Sequence, residues 1–106
     1  PVEPAFLLVY AAEGNGQIFR LATLGSAVQV STDGKQFMAD NSQRESARWQ
    51  EALDLLITWG WVKPVGRKGE VYEVTGTGYT KADWLKDDMC IDISKEPLEE
   101  LKQFEF

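Results

Sequence analysis

An α+β fold is predicted by three features of this 106-residue chain. Residues 42–59 carry a helix-start signal followed by apolar side chains at three- and four-residue spacing. Residues 17–39 and 61–74 alternate apolar and polar side chains between glycine-bearing turns, the pattern of antiparallel strands. A helical run at 4–13 and a Thr-capped one after residue 75 complete the order. The expected architecture is an N-terminal helix, a β-meander, a long central helix, a two-stranded hairpin and a C-terminal helix. It forms a single small domain over 1–106, with its core at 4–88 and 89–106 as a tail or short helix.

Each element has its own reason. Pro4 suits a first helical turn, where a missing amide hydrogen costs nothing. Residues 5–13 are apolar nearly all round, which predicts a helix buried on more than one side, ended by Gly14-Asn15-Gly16. QIFRLAT (17–23) and AVQVS (27–31) read as strands, with Val28 and Val30 on one face and Gln29 opposite. Thr32-Asp33-Gly34-Lys35 supplies a hairpin turn, because Asp-Gly accepts positive φ, and KQFMAD adds a third short strand. Ser42-Gln43-Arg44-Glu45 is a capping box. Behind it Trp49, Leu53 and Leu56 form a stripe flanked by Ala52 and Ile57, and Gly60 is placed to end the helix in the left-handed conformation. WVKPV and EVYEV alternate as strands joined by Gly66-Arg67-Lys68-Gly69. Thr75 is a good N-cap for a helix with Tyr79, Ala82 and Leu85 on one face. In the tail, Pro97 opens a short helix anchored by Leu98 and Leu101.

Composition narrows the chemistry. Apolar residues make up 43% of the chain and charged residues 26%, ordinary for a globular protein. No apolar run approaches the roughly 18–20 residues of a membrane span, so no membrane partner is expected. Histidine is absent and cysteine occurs once, which excludes Cys/His zinc sites, internal disulfides and His-dependent nucleophilic catalysis within this segment. Cys90, beside Met89 and Ile91, reads as a small buried hydrophobe. The lone cysteine points to the cytoplasm. Opening on Pro1 rather than Met suggests a domain excised from a larger protein. GTGYTK (76–81) lacks the full spacing of a phosphate loop, and Asp87, Asp88 and Asp92 do not follow calcium-loop spacing. No catalytic residue, metal or cofactor is expected, and the chain is not read as an enzyme.

The stretch ARWQEALDLLITWGWVKPVGRKGEVYEVTGTGYTKADWL (47–85) resembles the recognition helix, wing and following helix of the winged-helix superfamily. The helix–Gly–aliphatic junction at 59–62 and EVYEVTGTGY carry the likeness, with 5–13 as the first helix and 17–22 as the first strand. A helix-turn-helix also has a bracing helix before its recognition helix. Residues 23–41 place Gly25, Val28, Val30 and Asp33-Gly34 there, so the resemblance is to a variant with a β-hairpin in place of the second helix, common as an accessory module of larger bacterial proteins.

Two functions follow for such a non-enzymatic binding module. In DNA-binding relatives the wing and central helix meet phosphate, and the matching basic residues here are Arg44, Arg48, Lys63, Arg67 and Lys68. Each has a plainer reading: Arg67 and Lys68 as the polar tip any hairpin needs, and Arg48 as an ion-pair partner of Glu45 and Glu51. The alternative is protein interaction or self-association, with Trp59 and Trp61 as contact residues because large aromatics anchor interfaces. The two indoles flank the helix-ending glycine, a spacing that makes it hard for both to face one way. Charge bears on the choice. Residues 41–70 carry +1, but residues 71–106 carry −5 within a net −6, a field that repels phosphate at long range. The resemblance favours nucleic acid, bound weakly; the charge and the missing brace favour a protein.

Overall fold

An antiparallel sheet with helices against it makes up the structure, a computed structural model that describes residues 2–21, 28–32, 35–38, 42–66 and 70–101. In chain order the elements are α1 (Glu3–Glu13), β1 (Gln17–Leu21), β2 (Gln29–Thr32), β3 (Lys35–Gln36), α2 (Gln43–Thr58), β4 (Val62–Val65), β5 (Val71–Val74), α3 (Gly76–Met89) and α4 (Pro97–Leu101). The strand order is β3-β2-β1-β5-β4. The fold is therefore α+β, and the expected meander is present as β1, β2 and β3, with Phe19 opposite Ser31 and Thr32 opposite Lys35. The Asp33-Gly34 turn and residues 22–27 lie outside the described residues. The third strand is shorter than KQFMAD suggests: Phe37 and Met38 leave the ladder and bury themselves instead.

Register explains which sheet face is covered. Ile18 pairs with Tyr72 and Val62 with Val74, so these four and Val30 point to one side, where all are buried. Helix α1 crosses this side in contact with β1, β2 and β5, and also packs on α2 and α3. It is enclosed, as its uniform hydrophobicity requires: Phe6, Leu7, Leu8, Val9 and Ala11 are fully buried in succession. From α2 come Trp49, Leu53 and Leu56, the predicted stripe. The rings of Phe6, Tyr10, Phe37 and Trp49 form a continuous aromatic row, with adjacent centroids 5.1–6.0 Å apart.

The helix ends follow the sequence signals closely. Ser42 Oγ accepts from Glu45 N at 3.2 Å, capping α2. At the other end Gly60 has φ 78°, with Gly60 N–H bonded to Ile57 O and Trp61 N–H to Leu56 O, a Schellman closure. Thr75 Oγ1 accepts from Gly78 N at 3.0 Å and donates to Gly60 O at 2.8 Å, so one hydroxyl caps α3 and ties it to the end of α2. In β4, Pro64 lies on the outer edge strand, where its missing N–H discourages further strand addition.

Two expectations need correction. The inner face of α3 is Gly78, Ala82 and Leu85, while Tyr79 is 42% exposed. Glycine wins the inner position because the Trp61 carbonyl approaches the helix there so closely that a Cβ would overlap it. Cys90 is exposed, not buried: it terminates α3 at φ 55°, which turns its side chain outward and buries Ile91 in its place.

Beyond α3, residues 90–101 return across the end of α1. The Tyr10 hydroxyl lies 3.2 Å from Asp92 O and 3.1 Å from Lys95 O, sharing its proton between them. Glu100 is buried and accepts from Asp92 N at 3.4 Å, with Lys95 Nζ 3.9 Å away. The expected anchors Leu98 and Leu101 lie outside the described side chains. No described helix is long and apolar enough to cross a membrane.

Candidate functional site

Three of the five predicted cationic residues, Arg44, Arg48 and Lys63, lie among the described residues, each on its own part of α2 or β4. Arg44 is exposed in the first turn of α2. Arg48 is half-buried: its Nε donates to Glu3 Oε1 on α1, and its Nη1 lies 3.4 Å from Glu45 Oε1. Burial pushes the Glu3 carboxyl up, but the Arg48 hydrogen bond and charge, with a backbone bond, outweigh it and hold Glu3 below the usual carboxylate range. The plainer reading of Arg48 as an ion-pair residue is thus the observed one, with Glu3 in place of the expected Glu51. Lys63 is exposed on β4, opposite Glu73 across the ladder. Arg67 and Lys68 lie outside the described residues. The solvent side of α2 carries Glu51 and Asp54, both exposed.

Aromatic side chains do assemble. The rings of Trp59 and Trp61 are 4.8 Å apart at 49°, and Trp59 is 44% exposed. The expectation that these indoles diverge is wrong, because the left-handed Gly60 reverses the chain between them and returns both to one side. Lys81 of α3 places its ammonium 6.0 Å from the Trp61 ring centroid. Three residues on, along the same flank of α3, Trp84 is the most open large apolar side chain among the described residues, at 61%. Trp84 is not among the contact residues expected from the sequence, because its helix has no strong apolar stripe to set it outside of.

One backbone arrangement holds the Trp59–Trp61 pair against the start of α3. Trp61 O accepts from Thr75 N at 2.9 Å and abuts Gly78, while Thr75 bonds Gly60. The α2 end, the β4 start and the α3 start are therefore joined by hydrogen bonds, so the indole pair sits on bonded element ends rather than on a free loop. Along α2, Leu55 and Glu51 precede Trp59 at four-residue steps and lie on its side of the helix. They border a cleft of about 220 Å³ lined by Glu3, Pro4, Arg48, Glu51, Ala52 and Leu55. Among the described residues no group of three or more Cys, Asp or Glu is placed to hold a metal. Neither a family model, a curated protein nor a solved structure matches this chain.

Proposed function

We propose that this chain is a non-enzymatic protein-docking domain on a winged-helix-like framework, whose contact surface is the Trp59–Trp61–Trp84 side. The observation that carries the reading is the exposed indole pair at the α2–β4 junction. Water-exposed tryptophan is costly unless a partner covers it, and tryptophan leads the residues that anchor interfaces. The framework reading rests on element order and on the β1-β5-β4 core, in which the first strand pairs with the second strand of the wing. The variant form of that framework is supported by the chain order, in which strands β2 and β3, rather than a helix, precede α2 among the described residues.

Photocrosslinking tests the docking surface directly. A benzoylphenylalanine placed at Thr58, beside Trp59, is expected to yield discrete protein adducts in cells, lost when Trp59 is changed to Ala. The same group at Gln29, exposed on β2, serves as the control and is expected to yield none. Adducts that ignore Trp59, or that appear equally from Gln29, remove the proposal; adducts to a second copy of the chain identify self-association instead.

Nucleic-acid binding is the second reading, supported by the exposed Arg44 at the start of α2 and Lys63 on the wing strand. With so few phosphate ligands and a net charge of −6, its affinity for duplex DNA is expected in the non-specific range of about 10⁻⁴–10⁻⁶ M. Fluorescence anisotropy at two salt concentrations checks it: Arg67→Ala with Lys68→Ala should flatten the salt slope by nearly two units (roughly one per phosphate contact). No binding at low salt removes this reading.

A further inference from the structure

We infer that the occupant of the indole surface is a basic segment of a partner protein, docked with an arginine or lysine side chain against the open face of Trp59; this rests on the docking reading above. Charge complementarity selects the occupant. Between Trp49 and Val62 the chain has no lysine or arginine, while Glu51 and Asp54 are both exposed. Glu51 lies two helical turns before Trp59 on its side of α2, about 12 Å away at 1.5 Å per residue. On α3, Asp88 is exposed one turn beyond Trp84 and on its flank. Each open indole thus has an exposed carboxylate on its own helix, Glu51 for Trp59 and Asp88 for Trp84.

The nearby cations are accounted for. Arg48 is held between Glu3 and Glu45, and Lys86 donates to Glu13 at 2.9 Å on the opposite flank of α3. Two more cations lie near the site among the described residues: Lys63, exposed on β4 and opposite Glu73 across the ladder, and Lys81, which lies over the Trp61 ring. The position of Lys81 is itself informative, because it displays a cation against this indole pair, an interaction worth about 0.5–1 kcal/mol when exposed and more when desolvated. Trp59, the more exposed partner of Trp61, has the same π-face chemistry. An arginine is the better fit, because its planar guanidinium stacks on an indole face, leaving the carboxylates along the helices to attract the segment's other positive charges. The cleft beside Leu55, bordered by Glu51, has room for one further long side chain. Phosphate-bearing ligands are disfavoured by the same carboxylates.

Selection from a random 12-residue peptide library displayed on phage, against the whole immobilised chain, tests the inference. Bound phage are counter-selected on the Trp59→Ala variant, and the enriched peptides are resynthesised for anisotropy. Expected are peptides of net positive charge containing arginine, whose affinity falls at least tenfold in Glu51→Lys/Asp88→Lys and several-fold between 50 and 300 mM salt. Both altered positions are exposed, and circular dichroism verifies that the variants fold. Enrichment of neutral or acidic peptides that still depend on Trp59 overturns the charge inference and leaves the docking reading standing. Basic peptides unaffected by the double reversal overturn it too. No Trp59-dependent enrichment at all overturns both, and duplex DNA competing the basic peptides off this surface assigns it to nucleic acid instead.

Discussion

Gly78 shows how much one residue decides here. It admits no Cβ because the Trp61 carbonyl and a Val74 methyl occupy that space, and the carbonyl is fixed by its bond to Thr75 N. Gly78→Ala is therefore expected to lower stability by about 3 kcal/mol, the upper end of overpacking costs. Gly76→Ala, two residues earlier with nothing near its Cβ position, should be neutral or stabilising by about 0.4–1 kcal/mol through the unfolded chain. Urea midpoints of the two variants check the contrast. Arg48 gives a second residue-scale test. Glu3 has a depressed carboxyl in the folded state, so its stabilising contribution is complete above the ordinary value of 4.5 and is lost as pH falls through the lowered one. Arg48→Ala should cost about 1 kcal/mol at pH 7, and its stability should fall less steeply than wild type below pH 4.5 in acid titrations followed by circular dichroism.

Elements are held mainly by their ends. Ser42 and Thr75 each accept one orphan amide hydrogen, but Thr75 also donates to Gly60 O and so joins two helices. Ser42→Ala is expected to lose about 1 kcal/mol, and Thr75→Ala about 2 kcal/mol, a cap plus a tertiary hydrogen bond. Thermal melts rank them. Thr75→Ser, which keeps the oxygen, should restore most of the loss. These ends were legible because caps are local: Ser42, Gly60 and Thr75 each act within four residues of the helix they bound. The faces of α3 were less legible. Its apolar residues are few and a glycine supplies the inner contact, so periodicity pointed to Tyr79 where close backbone approach required Gly78.

At the scale of the whole molecule, residues 90–101 act as a strap fastened to α1 by Tyr10. Burial, reinforced by the charges of Glu100, Asp92 and Glu96, pushes the Tyr10 hydroxyl up to about 12 from its ordinary 10. A raised folded value on a group that is neutral when protonated means the contribution is complete below pH 10. It is lost as pH rises from about 10 toward 12. Wild type is expected to lose stability across that window, while Tyr10→Phe, weaker at pH 7 by about 1 kcal/mol for the lost hydrogen bond, should lack that part of the decline. Guanidinium denaturation at pH 8, 10 and 11.5 measures it, and equal alkaline slopes for the two proteins would refute the strap's dependence on this hydroxyl.

The sequence by itself determined what is short in range. The α+β class, the β1–β2–β3 meander, the caps of α2 and α3 and the core stripe Trp49–Leu53–Leu56 all follow from periods and capping residues within one element. Tertiary structure decided what joins residues far apart. Arg48 chose Glu3, 45 positions away, over Glu51 because α1 lies against α2. Tyr10 found Asp92 and Lys95, more than 80 positions on, because the chain returns across α1 after Cys90. Trp59 and Trp61 became one surface only through the positive φ of Gly60 and the seat of α3 beneath Trp61. A side chain's partner depends on how elements pack, and packing is a property of the whole chain that no local period encodes.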